Sequence, residues 1–483
     1  MLRLKTFIYS AILLVLFVAC AKDQVPAQSV PPANENSVKT YDSVIPWLTK
    51  SDQSVLFAPQ KLIYFTDPKS NSVIDAIKVD STKHYQEIDG FGFCLTDGSA
   101  DLINKMSPDK KATLLSELFG TKDPGIGISY IRVSIGASDL SDSVYTYDDV
   151  PTGKTDKNLQ HFTIAKAKIN LIPVLRDILK INPDLKILGS PWSAPSWMKD
   201  NEKSKGGSLI PDDYTTYAQY FVRYIQDMKA AGIRIDAITP QNEPLNPDNN
   251  PSMYMNGEQQ ASFIRDALGP AFAAAGLDTK IIIYDHNADH PDYPLTILKD
   301  PEAAKFVDGS AFHLYAGGIT ALSAVHEAYP DKKIYFTEQY TPGSGSFEGD
   351  LSWHVKNLII GATKNWSRNV LEWNLASDPQ LGPHTPGGCT TCLGAVTIEG
   401  NSVLRNPSYY IIAHASKFVR PGSYRIQSSE IANISSVAFV TPEGKKVLIT
   451  LNTSNQPRIF DISFKGKVAH AAIDPGAVAT FVW

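Results

Sequence analysis

The chain has 483 residues, 43% of them hydrophobic and 20% charged, and its 45 basic and 50 acidic side chains leave a net charge of -5. These proportions belong to a soluble globular protein, and the length points to one large domain with a smaller one beside it. Charges spread without long runs exclude a nucleic-acid footprint and a polybasic membrane patch, so a neutral substrate or partner fits best.

The first stretch, MLRLKTFIYSAILLVLFVAC, sets Arg3 and Lys5 before an apolar run ending at Cys20. Residues 1–20 therefore predict a secretory signal peptide, too short for a comfortable membrane span. Ala19 followed by Cys20 resembles a bacterial lipoprotein cleavage junction, at which Cys20 becomes the lipidated first residue; an ordinary secreted or uncleaved segment is the alternative. Residues 21–50 begin polar and proline-bearing (AKDQVPAQSVPPANENS) and read as a flexible tether. The mature protein is expected at the cell envelope, held to an outer-membrane or surface leaflet by its lipid alone, or else secreted to the periplasm.

Residues 51–85 and 415–483 carry β-type runs (SVAFV, KKVLITLN, RIFDISF, VATFVW) with almost no helical period, which predicts one β-sandwich built from both chain ends. Between them, residues 86–414 alternate strand-like and helix-like segments. The strand-like runs, in chain order, are QEIDGFGFC (86–94), YIRVSI (130–135), LKILGSP (185–191), IDAITPQNEP (235–244), KIIIYDH (280–286), GSAFHLY (309–315), KIYFTEQ (333–339) and NVLEWNL (369–375). Helical segments lie between them; in DDYTTYAQYFVRYIQDMKAAG, Tyr217, Phe221, Tyr224, Ile225 and Met228 recur at helical spacing before a stop at Gly232. Eight such alternations predict an α/β fold, a (β/α)8 TIM barrel, with a doubly wound open sheet as the alternative.

In such a barrel the chemistry gathers at the C-terminal ends of the strands. Those positions hold Asp97, Arg132, Trp192, Asn242 with Glu243, His286, His313 with Tyr315, Glu338, and Trp373 with Asn374. Glu243 alone reads as a first-turn helix acid and Glu338 alone as a turn cap. Together they supply the two carboxylates that glycosidic-bond cleavage needs, one protonating the leaving oxygen and one attacking or stabilising the sugar cation. Trp192 and Trp373 can stack on sugar faces, and Asn242 stands beside a hydroxyl. Cys389 and Cys392 form a lone C-x-x-C in GGCTTCLG, open to three readings: a local disulfide, two loop thiols, or half of a metal site. Zinc takes about four ligands and no second motif accompanies this one, which favours the disulfide. Neither cysteine falls on a strand end, so both are expected to be dispensable for chemistry.

The ordered series GFGFCLTDGSA, YIRVSIGASDLSDSVYTYDD, LGSPWSAPSWMK, ITPQNEP, HLY, YFTEQY, EWNLA and FVRPGSYRI resembles glycoside hydrolase family 30, which includes lysosomal glucosylceramidase and microbial β-1,6-glucanases. The resemblance implies a retaining β-glycosidase with no metal or organic cofactor. By motif, Glu243 is implied as acid/base and Glu338 as nucleophile, with Arg132 steadying the nucleophile. Asp97, Trp192, Asn242 and Trp373 are implied to hold the innermost sugar, and His313 and Tyr315 to form the cleft wall. For those roles Arg132 should keep Glu338 ionised while Glu243 stays protonated.

After EWNLASD the chain reads PQLGPHTPGGCTTCLG, where glucosylceramidase-like members carry a tryptophan and an asparagine; His384 either replaces them or is a surface residue. The expected substrate is a β-glucan or β-glucoside, first a β-1,6-glucan such as pustulan or the branches of laminarin, cut internally or from an end. A glucosylceramidase, exo-β-glucosidase or β-xylosidase shares the chemistry. A non-catalytic surface glycan-binding lipoprotein needs the tryptophan platforms but not the carboxylate pair, and a structural envelope protein needs none of the strand-end residues.

Overall fold

A computed structural model describes residues 43–69 and 74–483. The expected signal peptide, the lipidated Cys20 and most of the expected tether lie outside those residues. The tether reading ends too late, because Ser43–Thr49 is a β-strand, paired antiparallel with Val478–Val482 from Ile45↔Val482 to Thr49↔Val478. Burial holds this strand: Val44 is fully enclosed, and Trp47 packs on Phe57 and Phe418 with ring centroids 4.9 and 5.5 Å apart.

Eight parallel strands form the barrel: Gly90–Cys94, Tyr130–Ser134, Lys186–Ser190, Ala237–Ile238, Lys280–Ala288, Val307–Gly317, Lys333–Glu338 and Asn369–Asn374. Every strand after the first pairs with its predecessor up to the seventh, and the eighth pairs with the first. The seventh and eighth meet more sparsely, through the bridge Ile334↔Ser367, the Arg368 N–H on Ile334 O at 2.9 Å, and the Asn369 side chain accepting from the Phe336 N–H. The first predicted run, 86–94, divides in two. Ala76–Glu87 belongs to the sandwich, and the chain enters the barrel at Gly90, whose φ of 145° and 2.5 Å clearance to Ser129 Oγ leave no room for a Cβ.

Among the described residues the second sheet has ten strands. Ser43–Thr49 lies beside Val478–Val482, and Ala76–Glu87 lies between Tyr424–Ser428 and Arg458–Phe464, so both ends of the chain build it. Strand alternation joins the two domains. Val437, Phe439, Val447, Ile449 and Leu451 belong to the barrel's apolar core, while their neighbours Ala438 and Leu448 belong to the core of the sandwich. No described helix is long and apolar enough to cross a membrane.

Candidate active site

Tyr130, Leu188, Ala237, Ile282, Ala311, Tyr335 and Leu371, each from a different strand, fill the barrel interior as one apolar layer. Side chains in a strand face the same way every second residue. The next inward positions are therefore Arg132, Ser190, Thr239, His313, Thr337 and Trp373, and the layer turns polar as it nears the C-terminal face. The fifth strand breaks the count. Tyr284 and Asp285 adopt φ of 74° and 67°, and pairing skips from Ala311↔Tyr284 to Phe312↔His286, so Asp285 is the extra residue of a bulge. A second skip, from Phe312↔Phe336 to His313↔Glu338, sets Glu338 beyond Thr337 and into the cleft.

Asp285 is the hub of this layer. Fully buried, it accepts hydrogen bonds from Arg132 at 2.8 Å, Ser190 at 2.8 Å, Thr239 at 2.7 Å and Thr337 at 2.6 Å. Burial opposes its charge, but Arg132 and His313 hold the carboxyl well below its usual range. The Arg132 guanidinium also reaches Glu338 at 2.5 Å and Asn242 Oδ1 at 2.5 Å, and it lies 4.8 and 5.8 Å from the ring centroids of Trp192 and Trp373. Those two rings are 5.3 Å apart.

Glu243, expected beside a hydroxyl-binding Asn242, has a φ of 42°, held by its N–H bonding Asp285 O at 3.0 Å. Its carboxylate meets Asn246 Nδ2 at 2.8 Å and His313 Nδ1 at 3.2 Å. His313 Nε2 lies 3.1 Å from Asp285, and Nδ1 also lies 3.8 Å from Glu338. The histidine is wholly buried with both ring nitrogens engaged by carboxylates, so it is not the sugar-contacting wall residue the sequence suggested. Tyr315 is the wall, its hydroxyl donating to Glu338 Oε1 at 3.0 Å. Oxygens of Glu243 and Glu338 lie within 4.8 Å of each other. Glu243, His313 and Glu338 are also near enough to bracket a cation, although each already has a partner within the protein.

The charge balance differs from the sequence expectation. Burial raises the Glu338 carboxyl above its ordinary range against the pull of His313 and Arg132. Burial acts the same way on Glu243, but the hydrogen bond and charge of His313 outweigh it and bring Glu243 down to about 2. Burial lowers His313, yet Glu338, Asp285 and Glu243 together take it up to about 9. The proton expected on Glu243 therefore rests on the imidazole beside it. Because Asp285 takes the Nε2 proton, the two arrangements differ only in where one proton sits along the 3.2 Å contact between Nδ1 and Oε1.

Asp139, Trp192, Glu243, His286, Tyr315, Glu338, Tyr340 and Trp373 line a cleft of about 540 Å3 that opens to solvent. Asp97 does not belong to it. Thr96 caps the helix Asp97–Lys105, and the Asp97 carboxyl, raised to about 6 by burial and by Asp142 and Asp101, lies near Lys166 and Asn170 instead. The acid of the cleft is Asp139, which the strand-end count missed because it stands in the loop beyond Ser134. Its Oδ1 is buried without a partner, and burial, then the charges of Glu338 and Glu243, raise the carboxyl to about 7. His286, a strand-end residue with a buried, unpartnered Nδ1, is lowered to about 4 by burial. Cys389 and Cys392 are joined in a disulfide and line the cleft, whereas His384 bonds the carbonyl of Thr385.

The sequence profile of the glycosyl hydrolase family 30 TIM-barrel domain matches residues 88–419, and that of the family's β-sandwich domain matches 422–481. The chain belongs to glycosyl hydrolase family 30. It is 39% identical to endo-1,6-beta-D-glucanase neg1 of Aspergillus fumigatus over 406 residues, covering 78% of this chain and 81% of that one. It is 30% identical to lysosomal acid glucosylceramidase of Mus musculus, covering 83% and 82%. Among solved structures, the endo-beta1,6-glucanase BT3312 superposes with a TM-score of 0.83 at 35% identity, over 91% of this chain and 99% of the other. The family 30 chain is a glycoside hydrolase with a TIM barrel and a β-sandwich.

Proposed function

We propose that the chain hydrolyses internal bonds of a β-1,6-glucan with retention of configuration, Glu338 acting as nucleophile and Glu243 as acid/base. One observation carries the retaining mechanism. The two glutamate oxygens lie within 4.8 Å, near the carboxyl spacing of about 5 to 5.5 Å of retaining enzymes and short of the roughly 6.5 Å or more that an inverting enzyme needs for its water. Glu338 ends a strand, held by Arg132 and by the Tyr315 hydroxyl. Glu243 shares its proton with His313 and is the one able to give a proton away.

In the first step a Glu338 oxygen bonds to the anomeric carbon, and the bond from that carbon to the leaving oxygen breaks. The proton held by the Glu243 and His313 pair passes through Glu243 to the leaving oxygen. Glu243, Asp285 and Glu338, joined by Asp139 when it is ionised, outnumber the one guanidinium and one imidazolium and leave a net negative charge facing the sugar cation of the transition state. In the second step Glu243 takes a proton from water, whose oxygen bonds to the same carbon and frees Glu338.

The β-1,6 linkage and internal cleavage rest on the fungal relative and on the solved neighbour, both named for that activity, and on a cleft that opens to solvent. Product analysis on pustulan, laminarin, a short β-1,6-glucoside and glucosylceramide tests this reading. Oligosaccharides from the middle of pustulan chains are expected; turnover of glucosylceramide alone would replace it with the glucosylceramidase reading. The lipid anchor at Cys20 remains our proposal from the Ala19–Cys20 junction. A Cys20→Ala chain retained in the membrane fraction at the wild-type level would overturn it.

A further inference from the structure

The disulfide that sequence placed outside the chemistry sits in the wall of the cleft. Cys389, Thr391 and Cys392 line it, and the short strand Cys392–Leu393 pairs with Thr341–Pro342, which follows Glu338 by three residues. The same loop touches Asp139 from the other side. The Cys389 N–H donates to Asp139 Oδ2 at 3.3 Å, and the Thr385 N–H donates to Asp139 O at 2.8 Å. The Thr385 hydroxyl donates to Asn250 O at 2.6 Å. The approach leaves no slack, since a Cβ on Gly388 would lie 2.4 Å from Asp139 O. The disulfide closes a loop whose one end is fixed in the ribbon behind the nucleophile and whose other end presents an amide to the cleft's buried acid.

We propose that the Cys389–Cys392 disulfide is a positioning element of the sugar cleft, holding the Cys389 amide on Asp139 Oδ2 so that Oδ1 stays an ionised acceptor for a substrate hydroxyl. Asp139 is already raised to about 7 by burial and by the charges of Glu338 and Glu243, and the Cys389 N–H, followed by the Asn249 side chain, opposes that rise. Opening the disulfide frees the amide, and a buried carboxyl that loses a donor takes up a proton more readily. A protonated Asp139 offers a donor where the ionised group offered an acceptor. The inference rests on the glycosidase reading and not on the linkage.

The test compares KM and kcat of the oxidised and the reduced wild-type enzyme, on pustulan and on an aryl β-glucoside, with release of two thiols confirming reduction. A Cys389→Ser, Cys392→Ser double variant stands in if the disulfide resists reductant. Loss of one charge-assisted hydrogen bond should raise KM about tenfold, more at pH 8 than at pH 5, and the double variant should not respond to reductant. In Asp139→Asn, reduction should change KM by less than about twofold, because the group through which the disulfide acts is gone. Gly388→Ala, with the disulfide intact, should reproduce the raised KM. An unchanged wild-type KM after confirmed reduction would overturn the proposal, and so would an equal rise in the Asp139→Asn enzyme, which would mean general loosening. A wrong linkage would instead appear as no turnover of pustulan in either redox state, with the aryl glucoside still reading out the disulfide.

Discussion

At the scale of single residues, Glu338 and Glu243 have unequal tasks and should fail differently. Glu338→Ala is expected to abolish turnover of every substrate, with azide restoring a product of inverted configuration. Glu243→Ala should still react with an activated aryl glucoside and give a retained azide product, while hydrolysis of the glucan falls by roughly 10² to 10⁴ for want of proton transfer. The anomer of each azide product, read by NMR, checks the assignment; exchanged outcomes would exchange the roles. His313 sets the alkaline limit. The proton of the Glu243 and His313 pair should persist until His313 loses it at about 9, so kcat/KM should fall on the alkaline side near that value. Glu338 must be ionised to attack, and burial raises it, which places the acid limb above the ordinary carboxylate range. In His313→Asn the alkaline limb should move to lower pH, because Glu243 then holds the proton unaided; an unmoved limb would remove His313 from the proton path.

At the scale of elements, strand ends were legible because period two is simple. From Tyr130, Ala311 and Leu371 the count reaches Arg132, His313 and Trp373, all named from sequence, while from Leu188 it reaches Ser190, which the sequence reading passed over for Trp192. The bulge at Tyr284 and Asp285 defeats that count, since two consecutive left-handed residues leave no mark in KIIIYDH. Asp139 escaped because a loop has no period, and Asp97 misled because its place after a strand is also the first turn of a capped helix. The sign of the split between the two glutamates was beyond sequence as well: it depends on an imidazole lying between them.

Loops follow the same logic, and one is braced from below. Lys199, fully buried, donates to Ser193 Oγ at 2.9 Å, Ser204 O at 3.2 Å and Ser252 O at 2.8 Å, joining the loop after the third strand to the loop after the fourth. The second of these carries Asn246, which bonds Glu243, and several residues of the cleft. Lys199→Met should leave the buried Ser252 carbonyl without its donor, at about 1 to 3 kcal/mol, while Ser204 O keeps the Ser252 N–H at 3.0 Å, and raise KM more than it lowers kcat. Thermal melts with steady-state kinetics check this; a lower melting temperature with an unchanged KM would confine Lys199 to stability.

At the scale of the whole molecule, His414 couples the barrel to the sandwich. It lies in the helix Pro407–Ser416 and bonds Thr480 at 2.9 Å and Thr49 at 2.8 Å, on strands from the two ends of the chain. Burial lowers it to about 3. The unfolded chain therefore binds this proton first, near the ordinary histidine value of about 6.5, so the stability the neutral ring confers is complete above that pH and is lost as pH falls toward 3. The slope from this group is about 1.4 kcal/mol per pH unit. Denaturant melts between pH 4 and 7 should show it, and His414→Gln should flatten it; a parallel slope in the variant would assign acid sensitivity elsewhere.

The sparse joint between the seventh and eighth barrel strands has a dynamic meaning. Where the sixth and seventh strands pair from Gly309↔Lys333 to His313↔Glu338, the seventh and eighth share one bridge and the Trp373 N–H on Gln339 O at 2.9 Å, and the Phe336 N–H is covered by one side-chain oxygen of Asn369 at 2.9 Å. Amide protons on that edge should exchange with deuterium sooner than those of the sixth strand, and sooner still in Asn369→Ala. The strand that carries Glu338 thus has one edge laced tightly and one loosely, so slow breathing of the barrel should begin beside the residue that makes the covalent bond.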